Sequence, residues 1–258
     1  MPALLLVFLL IPSFNGYSGQ RNAARSNPSQ DRVVVQRRRI VLVRSPRIAK
    51  AFPDRKTAVV SYPVISGLRD RAVLHRVRSL FDFKNIFDYT LQEYRDDSWL
   101  SEFDFIVNYN SNYLFDITFT QSGVGAYPDE QSKHFLIDLK TGRVIRATDV
   151  FLVDQLAILA TLVDEKLQAE IKKMAEDIQP SDLDAAESKS IVEGLQQLKF
   201  QVKDLDEFSV NNKGVTFLYD AGLPHVIQAF EPEARYFFAY SELKPFLNTK
   251  GPLGQFVR

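Results

Sequence analysis

The side chains able to do chemistry are few and poorly grouped. The chain has three histidines, His75, His134 and His225, and no cysteine in its 258 residues. Transition-metal sites need imidazole, thiolate or carboxylate ligands at short, defined spacing. None of the histidines falls in an HExxH or comparable pattern, so no metal is expected. His75 sits beside Arg76 and Arg78 in a helical stretch and is expected at the surface. His134 stands on the strand face opposite Phe135 and Ile137, and alternation places it in solvent too. His225, behind Leu223-Pro224 in a loop, is the histidine to test. Nucleophile and phosphate motifs are missing as well: there is no GxSxG elbow and no Walker-type loop. Gly123-Val124-Gly125 leads into Ala126-Tyr127-Pro128, which is no helix start, so it reads as a flexible loop. Two acidic pairs, Asp96-Asp97 and Asp129-Glu130, have the chemistry for calcium or for glycoside hydrolysis. A catalytic pair must be placed by the fold, however, and neighbours in polar segments are usually solvated. The sequence therefore points to no catalytic residue and no cofactor. What remains is binding surface on two loops, Gly123–Asp129 and Ala221–Pro232. The residues to test there are Tyr127, Pro128, Leu223, Pro224 and His225.

The elements that must position these loops follow from hydrophobic periodicity. Thr57 to Ile65 reads as a strand stopped by Gly67, and 68–87 as a helix. Phe103, Phe105, Val107 and Tyr109 alternate with polar residues, Asn110-Ser111-Asn112 turns the chain, and Tyr113, Phe115, Ile117 and Phe119 alternate back. This is the best hairpin signal in the chain. A loop over 121–130 precedes a strand from Lys133 to Leu139, and Lys140-Thr141-Gly142 turns into a short return strand, 143–146. Thr148 is placed to cap the next helix. Leu156, Leu159, Val163, Leu167, Ile171, Met174 and Ile178 form the stripe of that helix, which is long and amphipathic. Pro180 ends it, and Ser181 with Asp184 forms a capping box for a second helix reaching about Lys199. Strands are expected at 207–210 and 215–219 around Asn211-Asn212-Lys213-Gly214, then at 226–230 and 235–240, with Ser241 capping a terminal helix. The fold class is α+β: a mainly antiparallel sheet, a helix after the first strand, and a two-helix insertion before the C-terminal strands.

Ahead of these elements, residues 3 to 11 are an unbroken apolar run, too short for a membrane-spanning helix, which needs about 20 residues. Small residues come next, with Gly16 and Ser18 at −3 and −1 if a cut falls before Gly19. Residues 1–18 are thus expected to be a secretory signal and the protein extracytoplasmic, although no Lys or Arg precedes the run. Charge is sharply divided. Residues 21–78 hold 15 Lys and Arg against 3 Asp and Glu, and the remainder holds 17 against 29. Residues 19–55 read as a basic linker, disordered or carrying an edge strand whose charges oppose aggregation. The compact domain is expected from about Lys56 to residue 258. For an exported chain the counter-charge would be an anionic envelope surface or the acidic body itself, not nucleic acid. Oligomeric state is left open.

Several motifs resemble a known family. Tyr62-Pro63-Val64-Ile65-Ser66-Gly67-Leu68, Gly125-Ala126-Tyr127-Pro128 and Ile137-Asp138-Leu139-Lys140-Thr141-Gly142-Arg143 look like the bacterial RsiV-type extracytoplasmic domain. So do Asp149-Val150-Phe151, Lys213-Gly214-Val215-Thr216-Phe217 and Tyr240-Ser241-Glu242-Leu243-Lys244-Pro245-Phe246-Leu247. In the family's order these cover most of residues 57–247. The same domain type is found beside a peptidoglycan deacetylase domain. The resemblance implies two adjoining pieces, here about 56–122 and 123–248, that bind rather than catalyse outside the cytoplasm. It makes peptidoglycan or a lysozyme-like protein the candidate partner. The chain departs from the family in carrying neither a sigma-binding segment ahead of its apolar run nor a deacetylase domain. It also has Ala221-Gly222-Leu223-Pro224-His225 where the family usually has an aromatic Pro-Tyr-Ala-type element. The contrasting expectation from the residues alone is a carboxylate-dependent cell-wall hydrolase using Asp96, Asp97, Asp129 and Glu130.

Overall fold

A computed structural model of the chain describes residues 31–125, 127–178, 185–223 and 225–257. The expected signal, most of the spacer behind it, the Ser181–Asp184 capping box and Pro224 lie outside the described residues. The elements run β1 (Val34–Val43), α1 (Pro46–Ala51), β2 (Thr57–Ser66), α2 (Arg71–Leu80), α3 (Phe83–Phe87), α4 (Leu91–Asp96), β3 (Leu100–Ser111), β4 (Leu114–Val124), β5 (Pro128–Asp138) and β6 (Arg143–Val144). They continue with α5 (Ala147–Val150), α6 (Leu156–Asp177), α7 (Ala185–Gln196), β7 (Phe208–Val210), β8 (Gly214–Leu218), β9 (Arg235–Ala239) and α8 (Tyr240–Leu243). Among the described residues, β1 to β6 form one sheet in sequence order, and β7 to β9 form a second, antiparallel sheet. In the large sheet only β2 and β3 are parallel, because α2 to α4 make the crossover between them. The fold class is α+β, as its periodicities indicate.

The large sheet divides two hydrophobic cores. On one face Val73 and Val77 of α2, Ile86 of α3 and Tyr94 of α4 cover Phe103, Phe115, Ile117, Phe119, Phe135 and Ile137. Phe119 is at the centre of this layer, its ring 5.2 Å from Phe81 and 6.0 Å from both Phe103 and Phe135. Leu114 and Leu136 point the other way, into a core shared with Leu159, Val163 and Leu167 of α6 and with Phe208, Val215, Phe217 and Phe238 of the small sheet. The small sheet therefore covers part of the second face of the large one. No helix among the described residues is long and apolar enough to cross a membrane.

Several expectations shift in detail, each for a local reason. The basic 34–43 stretch is an edge strand, paired antiparallel with β2 over its whole length. Val33, Leu42 and Ile48 are buried, so the packed body begins well before Lys56. The 122/123 junction between the two expected pieces falls inside β4, whose ladder to β5 runs on to Val124. The hairpin turn is Asn112-Tyr113, one residue later than expected, with φ of 55° and 61° at these positions. Two left-handed residues between Ser111 and Leu114 make the tight turn that matches strand twist. Residues 68–87 form two helices rather than one, α2 being capped by the Asp70 carboxylate, which accepts from Ala72 N and Val73 N. The 121–130 loop is mostly strand, reduced to the tip around Tyr127. Thr148 lies within α5, and Gln155, which precedes α6, makes no side-chain cap. The 226–230 stretch is a 3-10 turn (His225–Phe230), not a strand. Its Ile227 docks against Gly194 of α7, so the apolar run serves the helix and not a ladder. Ser241 is inside α8, whose start is fixed by Ala239 N donating to the Glu242 carboxylate.

Candidate functional site

β3, β4 and β5 bring Asn108, Asp116 and His134 together on the face that meets the small sheet. Asp116 pairs with Tyr109, and the register shift between Val107 and Tyr109 leaves Asn108 as the extra residue of a bulge. Bulges re-aim a side chain. Here Asn108 Nδ2 donates to Asp116 Oδ1 at 2.7 Å and to Thr118 Oγ1 at 2.9 Å. His134, cross-strand neighbour of Thr118, brings Nε2 to 2.7 Å from the same Oδ1. From β7, Ser209 Oγ and Val210 N donate to Oδ2 at 2.7 and 2.8 Å. The Asp116 side chain is fully buried and that of His134 is 7% exposed. His134 is thus not a surface residue. Alternation correctly put it opposite Phe135, but the small sheet covers that opposite face.

Beside His134 opens a cleft of about 700 Å³ between β5 and the segment leading out of β8. Thr118, Ser132 and His134 line one side, and Leu218, Tyr219 and Leu223 the other. Its carboxylates are Glu130, Glu207, Asp220, Glu231 and Glu233, against the cations Lys133 and Arg235. Burial lifts the Glu231 carboxyl above the usual range, and the nearby Asp220 charge adds to the lift.

Glu231 is mostly solvated, so its effect on stability is small after screening. Its sign is nonetheless definite. A carboxyl raised in the folded state favours folding below the ordinary value of 4.5, and this is lost as the pH rises through the elevated value. Glu231→Gln should therefore stabilise the protein by no more than about 0.5 kcal/mol at pH 7. Urea titrations at pH 7 and pH 4 should show that gain closing at the lower pH.

The sequence-predicted residues are only partly brought together. Leu223 lines the cleft, whereas Tyr127 and Pro128 are exposed at the β4–β5 tip and do not. Pro224 and the His225 side chain lie outside the described residues. His75 is exposed, as expected. Of the four acids weighed for hydrolysis, only Glu130 reaches the cleft. Its neighbour Asp129 alternates to the other side of the strand. Asp96 accepts from Gln92 Nε2 at 2.7 Å, which holds it below the usual carboxylate range, and Asp97 Oδ1 accepts from Trp99 N. Both are engaged at the end of α4. Among the described residues, no group of three or more His, Cys, Asp and Glu side chains is arranged to hold a metal.

The basic segment is also partly absorbed. Arg37 pairs with Asp104 and stacks over the Phe105 ring at 4.2 Å, and Arg38 lies over Tyr62 at 5.8 Å. Arg44 is buried, donating to the carbonyls of Tyr94 and Leu100, and Arg55 donates to that of Val124.

The arrangement of a six-stranded sheet and a three-stranded sheet joined at β7 and sharing a core with α6 has a solved counterpart. A DUF3298-family protein from Bacteroides fragilis superposes with a TM-score of 0.55 at 15% identity, over 90% of this chain and 99% of that one. The chain shares a DUF3298-type fold. At this identity the likeness shows the fold alone. A DUF3298-family protein from Pseudomonas aeruginosa is more distant, with a TM-score of 0.44 at 12% identity over 86% of this chain and 96% of that one. No family model matches the sequence, and no curated protein matches it.

Proposed function

We propose that this protein is a non-enzymatic binding module of the bacterial cell envelope, extracytoplasmic and of the RsiV type. It takes its partner in the cleft beside His134. One observation carries the reading: the Asp116–His134 pair, the only Asp–His pair among the described residues, has no nucleophile on it. Ser209 donates to the Asp116 carboxylate, not to the imidazole, and a serine nucleophile needs the base on its own oxygen. Asp116 fastens the two sheets through Ser209 and Val210, and the open cleft next to it is a surface. Between the two candidate partners, the carboxylate-rich lining favours a basic, lysozyme-like protein over an anionic wall polymer.

The test is capture of hen lysozyme and of intact peptidoglycan by the purified chain, at low and moderate salt. Salt-resistant capture of lysozyme, reduced at least tenfold by Glu231→Lys with Asp220→Lys, is the expected result. No capture of either overturns the reading. One observation favours hydrolysis as the second reading: the lifted Glu231 carboxyl beside Asp220 has the environment of a general acid. Turnover of cell-wall glycan abolished by Glu231→Gln would establish that reading and remove the first.

A further inference from the structure

The cleft is bordered by an unpaired strand edge. β6 pairs β5 only at Ile137 and Asp138, so from Leu136 back to Pro128 β4 is the only strand in a ladder with β5 among the described residues. The direction of its backbone groups follows from flanking bonds. Leu136 O accepts from Ile145 N at 2.8 Å and Asp138 O from Gly142 N at 2.7 Å, both away from β4. Leu139 N, one residue out of phase, donates toward the β4 side, to Tyr113 O at 2.7 Å. The β4–β5 ladder keeps one register throughout, and in such a ladder successive residues alternate sides. Glu130, Ser132 and His134 therefore present both N–H and C=O to the cleft. None of these groups bonds to another backbone group outside the β4 ladder among the described residues. The stretch Glu130–His134 is about 14 Å long at the usual rise per residue. Exposed edges of this kind are normally blocked or used.

We infer that β5 is a β-augmentation site: an extended cationic segment of a partner protein adds as a further strand along Glu130–His134. Backbone pairing supplies the general affinity, and alternate side chains supply selectivity. The occupant is cationic because the wall facing the edge carries Glu207, Asp220, Glu231 and Glu233. With a strand period of two, every second residue of the segment points at that wall. This deepens the proposed function and rests on the cleft being its binding surface.

The experiment uses the purified chain and a labelled peptide of alternating Lys and Val, with three comparisons. One is the Glu-Val analogue; the second is the Lys-Val peptide N-methylated at alternate backbone amides in the two possible phases; the third is Ser132→Pro. Proline at 132 removes an outward N–H and leaves the β4 ladder intact, the edge position where proline is tolerated. Anisotropy should show affinity lowered at least tenfold by Ser132→Pro, by the Glu peptide and by one methylation phase but not the other. Amide exchange at Glu130, Ser132 and His134 should slow on binding. Equal binding of both methylated peptides, or unprotected amides at these three positions, overturns the inference, and the peptide phases decide it even if Ser132→Pro fails to fold. If Ser132→Pro melts normally and captures lysozyme as the parent chain does, the edge inference falls and the binding-module reading stands. If the parent chain captures neither lysozyme nor peptidoglycan and does not bind the peptide, both fall.

Discussion

Asp116→Ala should destabilise the protein by about 3–5 kcal/mol, the range for breaking a buried, hydrogen-bonded charge site by removing one partner. The substitution leaves the amide of Asn108, the ring of His134, the hydroxyl of Ser209 and the N–H of Val210 without their common acceptor. His134, Ser209 and Val210 sit where the two sheets meet, so water reaches them poorly and their desolvation is not compensated, whereas exposed Asn108 keeps Thr118 Oγ1 and can turn to water. Asp116→Asn tests whether shape is enough. An amide has one acceptor oxygen and a nitrogen that donates, so it cannot receive on both sides, and Val210 N–H cannot turn away. A loss of about 2–4 kcal/mol is expected there. His134→Ala removes one of four donors and should cost less, about 1–2 kcal/mol. The double variant should fall short of the sum, because the two side chains belong to one network. Urea unfolding at pH 7 provides the comparison. A cost below about 1 kcal/mol for Asp116→Ala would show that the sheets are held by apolar packing alone. Amide exchange adds a spatial prediction: β7 to β9 should open more than the β3–β4 hairpin, since Ser209 and Val210 lose the hydrogen bonds that tie them to the large sheet through Asp116.

The contrast between what the sequence discloses and what it hides has a physical basis. The 103–119 hairpin, the α6 stripe and the β7–β8 turn were legible because each is a local pattern, readable over about ten to twenty residues. The covered face of the large sheet was not. Alternation says which residues share a face, but nothing about what lies against it. His134 stands opposite Phe135 and so read as solvent-facing, although it shares its face with Asp116. One signal in the chain argued otherwise: Leu114 and Leu136 share that face, and two adjacent strands seldom expose leucines there without a cover. The cover comes from residues 208–210, about 70 residues beyond β5, and no local pattern reaches so far. The same distance explains the site. Leu223 and Glu130 were each visible as loop or strand residues, but their meeting in one cleft depends on how the small sheet docks. Tyr127 and Pro128 had the composition of a binding loop. The β4–β5 ladder holds them at a hairpin tip, away from the cleft lining.

Arg44 carries the same lesson on the opposite side of the molecule. Its position at the end of a basic, alternating stretch suggested a charge guarding a sheet edge. Instead it is 2% exposed, and its guanidinium joins the end of β1 to α4 and β3 through the carbonyls of Tyr94 and Leu100. Burial pulls its pKa down, opposed by the Asp97 carboxylate, and a guanidinium stays protonated regardless. A buried cation of this kind donates to two backbone acceptors in the interior. Arg44→Ala should therefore cost about 3–4 kcal/mol, combining the loss of two charge-assisted hydrogen bonds with the void left by the side chain. Arg44→Met restores volume and removes the desolvated charge, so it should recover about 1–2 kcal/mol of that loss. Arg44→Lys is the decisive variant. If net charge near Asp97 were the reason for the residue, lysine would serve and the urea midpoint would stay within error of the parent. If forked donation to two carbonyls is the reason, a single ammonium on a flexible stem cannot reproduce it. Lysine should then be no better than methionine.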